Sequence, residues 1–206
     1  MRRILSIDGG GIRGVFPASF LANIEQCLSR PLRDYFDLIV GTSTGGIITL
    51  GLGLGFSAAE ILDFYKRYGP EIFRGHSSWG RWAGWMIRGK YSNKPLERAL
   101  KETFGDRRLG ESTKRLVVPS LNLVDGEPHI YKTAHDQRFE RDYKVSAVDV
   151  ALATSAAPSF FPSHRSLEGI DLIDGGIYAT NPTGMAVAEA IGVLGWPREE
   201  LHVLSV

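Results

Sequence analysis

Ser43 stands in the stretch Gly41-Thr42-Ser43-Thr44-Gly45. This G-x-S-x-G pattern lifts a serine hydroxyl out of a tight turn when a strand precedes it and a helix follows. A hydroxyl presented in that way is suited to nucleophilic attack on a carbonyl. It then needs a base to take its proton, and donors to receive the negative charge that develops on the carbonyl oxygen. Two further stretches have the residue types for those tasks. In Asp8-Gly9-Gly10-Gly11-Ile12-Arg13-Gly14, successive glycines can turn their backbone N–H groups toward one point and hold an anion, with Arg13 adding positive charge. Asp174-Gly175-Gly176 follows the apolar pair Leu172-Ile173. A carboxylate at a strand end, within reach of a serine, serves as general base. Each motif also has a plainer reading: an N-capping serine, a loop that holds some other anion, an ordinary turn. Together they point to acyl transfer.

Other chemistries compete for the same residues. Gly9-x-Gly11-x-x-Gly14 is also a dinucleotide-binding fingerprint, but that reading expects an acidic residue at the end of the second strand. Here that strand runs into Gly41 and Ser43, and Asp37 lies at its start. No Gly-Lys-Ser/Thr follows, so a P-loop is excluded. A triad esterase or thioesterase would need a histidine after its acid, and His202 alone lies downstream of Asp174, inside the last apolar run. His76, His129, His135 and His164 show no metal-like spacing. No metal and no cofactor are expected, and no acidic loop resembles a calcium site. Asp8 is expected to brace the glycine turn, and Asp171 to point away from Asp174 if its strand is regular.

The elements that would position these residues are legible as alternating strands and helices. A strand over Arg2–Ile7 leads into the glycine loop, and Val15–Leu28 has helical periodicity with Pro17 in its first turn. A short strand, Phe36–Val40, precedes the elbow, and a helix starts near Ser43. Ser57 and Glu60 make a capping box for Ala58–Tyr68. Asn93, Pro95 and Gly105 bracket a helix ending at Phe104. Strands over Leu116–Val124 and His129–Thr133 join through Asp125-Gly126. A helix follows from Ala147, then a strand at Ile170–Ile173, a helix at Pro182–Leu194 and a last strand at Leu201–Val206. This alternation predicts an α/β sheet covered on both faces.

With those elements in place, the three motifs, in this order, resemble the signature of the patatin-like phospholipases. Two more stretches match: Ala153-Thr154-Ser155-Ala156-Ala157-Pro158 with Phe161-Pro162, and Asn181-Pro182. The likeness runs from Arg3 to about Pro197, and Thr180 departs from a common asparagine. The resemblance implies a three-layer α/β/α domain with a mainly parallel sheet, and a dyad of Ser43 and Asp174. It implies an oxyanion hole from the backbone of Gly9, Gly10 and Gly11 supported by Arg13, an elbow held by Gly41 and Gly45, and hydrolysis of esters in acyl lipids.

The totals agree with a globular enzyme. The 206 residues suggest one domain over 1–206, and 24 basic against 23 acidic residues give a net charge of +1. That balance offers no footprint for nucleic acid. A single cysteine, Cys27, cannot form an internal disulfide. The N-terminus lacks the apolar run of a signal peptide, and the apolar run Gly46–Phe56 falls short of the ~20 residues of a membrane span. A cytoplasmic protein is expected, with an acyl lipid as partner. Trp79, Trp82, Trp85, Met86 and Ile87, interleaved with Arg81, Arg88 and Lys90, form an apolar and basic stretch that would either pack on the core or touch a bilayer surface. The final strand reads as buried, so the chain is expected to be truncated at its C-terminal end.

Overall fold

A computed structural model describes residues 1–73 and 92–206. The Trp79–Ile87 stretch lies outside them. Seven strands form one sheet: β1 (Arg2–Ile7), β2 (Leu38–Gly41), β3 (Arg115–Asn122), β4 (Pro128–Lys132), β5 (His164–Arg165), β6 (Asp171–Asp174) and β7 (Leu201–Ser205). Among the described residues seven α-helices accompany them: α1 (Val15–Gln26), α2 (Thr44–Gly53), α3 (Ala58–Ile72), α4 (Lys94–Phe104), α5 (Ala147–Thr154), α6 (Gly176–Ala179) and α7 (Thr183–Gly192). The sheet is mixed. β1 pairs in parallel with β2 and β7, and β2 with β3, whereas β4 and β6 run antiparallel to β3, and β5 to β6.

Alternation along the strands divides the core into two layers. Leu5, Ile7, Ile39, Leu116 and Val118 pack with apolar residues of α1 to α5. Ile4, Leu38, Val40 and Val117 face the other way, onto Ala186 and Ala190 of α7 and onto Trp196. The result is a three-layer α/β/α arrangement.

The register of β3 sets up the rest. Val117 lies between Val40 of β2 and Lys132 of β4, and Ser120 lies between His129 of β4 and Asp174 of β6. Since a strand has two edges, β4 runs along one, and β2 and β6 share the other end to end. Where β2 leaves β3, β6 takes its place.

Several expectations meet corrections here. Asn93 precedes α4, but its side chain makes no capping bond; it adopts helical dihedrals (φ −77, ψ −11) and leaves the start to Pro95. α3 runs on through Pro70 to Ile72 rather than stopping at Tyr68. β7 is a sheet edge paired only with β1 among the described residues, so Val203 is 38% exposed and the strand is not buried.

Candidate active site

Ser43 sits between β2 and α2 with φ 57 and ψ −124. A side chain with positive φ is strained by roughly 1–3 kcal/mol and persists only where its surroundings leave no alternative. The flanking glycines supply part of that constraint. A Cβ on Gly41 would lie 2.3 Å from the Gly45 carbonyl oxygen, and one on Gly45 would lie 2.3 Å from that of Ile7. The turn closes only because both positions lack a side chain. Thr42 anchors it from the other side, its hydroxyl donating to the Ala179 carbonyl at 2.7 Å.

The handover from β2 to β6 brings the carboxylate to the serine. Ser43 lies three residues past Val40, and Asp174 pairs with Ser120, three residues past Val117. Both therefore reach the same level of β3. The Ser43 Oγ donates to Asp174 Oδ2 at 2.6 Å, and the Gly176 N–H donates to Oδ1 at 2.7 Å. Asp174 is 4% exposed. Burial raises its pKa above the ordinary carboxylate value, while the Ser43 and Gly176 hydrogen bonds pull the other way. Burial wins, so the carboxylate is more basic than one in water.

The glycine loop lies opposite. Its three amides differ. The Gly9 N–H is taken by the Thr180 carbonyl at 2.9 Å. The Gly10 N–H meets the Thr44 hydroxyl at 3.2 Å. Gly11, at φ 57, begins a turn of 3-10 helix, and its N–H has no partner among the described residues. Arg13 bonds the loop's own carbonyl, Nε to Gly10 at 3.4 Å, and is otherwise exposed. Asp8 does not brace the turn with Oδ1, which is buried without a hydrogen bond.

Between loop, elbow and Asp174 the described residues enclose a cavity of about 640 Å³. Ile47, Phe64, Ile72, Phe73, Leu96 and Phe161 make its walls apolar, and Gly9, Gly10, Gly11, Arg13, Ser43 and Asp174 line its polar end. No histidine among the described residues lines it. His202 pairs with Arg3, at the opposite end of β1 from Ile7; four residues of strand put it about 13 Å below the elbow. His129 is separated from Asp174 by β3. The triad arrangement with His202 is therefore not built. Asp171 faces Arg165, away from Asp174.

Three contributors carried no role in the sequence reading. The Thr154 hydroxyl accepts the Ser43 N–H at 3.0 Å, the Ala156 carbonyl accepts the Asp174 N–H at 3.1 Å, and Thr180 holds Gly9 through its carbonyl. Thr154 and Ala156 lie in a matched stretch, where a threonine at the end of an apolar helix was the available signal. Thr180 acts through its backbone, which side-chain identity does not report.

Among the described residues no helix is long and apolar enough to cross a membrane, and no group of three or more acidic, histidine or cysteine side chains is placed to hold a metal ion.

Comparison with known proteins places this geometry. The chain is 38% identical over 221 residues to a cGAMP-activated phospholipase of Vibrio cholerae, covering 99% of this chain and 62% of the relative. It is 39% identical over 222 residues to patatin-like protein 3 of Arabidopsis thaliana, covering 90% of this chain and 51% of that one. The chain thus spans roughly half to three-fifths of the length of these relatives. Among solved structures, VipD from Legionella pneumophila matches with a TM-score of 0.61 over 99% of this chain and 49% of that chain, at 15% identity, a likeness of fold. The family model of the patatin-like phospholipases matches residues 5–187, and the chain belongs to that family.

Proposed function

We propose that the protein hydrolyses carboxylic esters of acyl lipids, phospholipids foremost, with Ser43 as nucleophile and Asp174 as its base. The 2.6 Å hydrogen bond between them at the end of an apolar cavity carries this reading. Asp174 takes the proton as the Ser43 Oγ attacks the ester carbonyl. The tetrahedral oxyanion is received by the Gly11 amide and by that of Gly10 as it leaves the Thr44 hydroxyl, while Gly9, tied to Thr180, holds the loop in register and Arg13 braces it through Gly10. The alcohol or lysolipid departs with the proton returned from Asp174. Water then cleaves the acyl-enzyme by the same route. The apolar walls suit an acyl chain. Relatives named as phospholipases support the phospholipid, and contact with a lipid surface through Trp79–Ile87 belongs to the same reading.

A fluorophosphonate probe located by mass spectrometry should label Ser43, and Ser43→Ala should lower ester hydrolysis on the order of 10³-fold or more. Full activity in a folded Ser43→Ala variant would overturn the assignment. Some relatives are named for activation by cGAMP, so hydrolysis of phospholipid vesicles should be measured with and without it.

A further inference from the structure

Pro119 marks the point on β3 where one neighbouring strand gives way to the other. Its carbonyl faces the edge shared by β2 and β6, between the level of Val117, which β2 serves, and that of Ser120, which β6 serves. A proline there leaves no N–H without a partner in the gap. The carbonyl is met by the Thr154 hydroxyl at 2.6 Å, and Thr154 is fully buried. A hydroxyl has one proton to give. With it committed to Pro119, the Thr154 Oγ1 can only accept, and it accepts the N–H of Ser43 at 3.0 Å.

The same segment holds the base. The Ala156 carbonyl, two residues on, accepts the Asp174 N–H at 3.1 Å. Gly175 presses on the same Pro119 carbonyl, where a Cβ would come within 2.4 Å of the oxygen. One rigid corner therefore grips the backbones of both Ser43 and Asp174.

We propose that Thr154 is a positioning residue for the dyad: its hydroxyl, bridging the Pro119 carbonyl to the Ser43 N–H, holds the elbow in its strained conformation and keeps the Ser43 Oγ on Asp174. The inference rests on Ser43 and Asp174 acting as nucleophile and base. Thr154→Val keeps the shape but leaves the Ser43 N–H and the Pro119 carbonyl without their partner. The elbow then relaxes toward ordinary φ and swings the Oγ aside. Misplacement of a reacting group by about 1 Å costs on the order of 100-fold in rate.

The test compares Thr154→Val, Thr154→Ser, Ser43→Ala and Asp174→Asn on one soluble ester, with active sites counted by fluorophosphonate titration and folding checked by thermal melting. Thr154→Val should lower kcat by roughly 10- to 100-fold with KM little changed, and Thr154→Ser should recover most of that loss. The acid limb of the Thr154→Val pH profile should move to higher pH, because Asp174 loses the serine hydrogen bond that favours its charged form. A merely structural defect scales the profile without moving it. If Thr154→Val cannot be isolated folded, Thr154→Cys carries the same comparison, since a thiol is a poor acceptor of similar size. Wild-type kcat in folded Thr154→Val, a Thr154→Ser variant as impaired as Val, or an unmoved pH limb would overturn the proposal. If Ser43→Ala and Asp174→Asn are inactive in that case, the dyad stands without the clip. If Ser43→Ala is active, the dyad itself falls.

Discussion

A carboxylate takes a proton from serine only while it is charged, and burial at Asp174 works against that charge. Two consequences follow with opposite signs for activity and stability. Activity should rise with pH through the Asp174 pKa, and that limb of kcat/KM should lie above the ordinary carboxylate value of 3.8, since burial raises it; a limb at or below 3.8 would contradict the site as drawn. Stability runs the other way. A carboxyl whose folded pKa is raised is protonated in both states at low pH and there costs nothing. Once pH passes the unfolded value near 3.8 the unfolded chain ionises first, so stability falls until the raised folded pKa is reached and stays lower above it, where the folded state bears a buried charge. Asp174→Asn should therefore abolish activity yet melt above the parent protein at pH 8, with the difference shrinking as pH falls below the raised folded pKa and gone below about pH 4. Thermal melts across pH read this directly, and equal melting temperatures at pH 8 would show that the charge is not costly. Ser43 and Asp174 are legible from the sequence because their motifs carry their own glycines. Thr154 is not, because a hydroxyl bridging two backbone groups leaves no spacing pattern.

The elements show how local rules and packing divide the work. The elbow depends on two missing side chains, so Gly45→Ala should destabilise by about 3 kcal/mol through backbone overlap with Ile7. Gly184→Ala is the contrast: it lies in α7 with open space around its Cβ position and should stabilise by roughly 0.5–1 kcal/mol. Urea melts of the two variants test the pair, and two shifts of the same sign would show that the overlap is absorbed. The Ser57–Glu60 capping box forms as its spacing predicts. Ser57→Ala should cost about 1 kcal/mol of stability and leave kcat as it was, because the cap starts the helix whose far turns wall the cavity. The end of that helix was less legible. The sequence expectation ended it at Tyr68, but the burial of Ile72 and the close approach of Ile12 to Gly69 carry the helix onward through Pro70. Tertiary burial outweighs one lost backbone hydrogen bond.

At the scale of the molecule, the sheet puts chemistry at one end. The carboxyl ends of β1 and β2 carry the glycine loop and the elbow, and the antiparallel β6 delivers Asp174 to the same end. His202 lies at the other end, so His202→Ala should leave kcat/KM unchanged on a soluble ester, whereas an inactive, well-folded variant would restore the triad and remove the dyad. The sequence by itself determined which residues are proposed to carry the chemistry, the alternation of elements and the glycines without which the turns cannot close. All of these depend on neighbours a few positions apart, where hydrogen bonding and steric exclusion act within one turn. The tertiary structure alone decided that β2 and β6 share an edge of β3, that residues 131 positions apart meet in a 2.6 Å hydrogen bond, and that the Gly9 amide is taken by Thr180 while that of Gly11 has no partner among the described residues. Those outcomes are set by strand register and packing between segments far apart in the chain, which residue spacing along it does not encode.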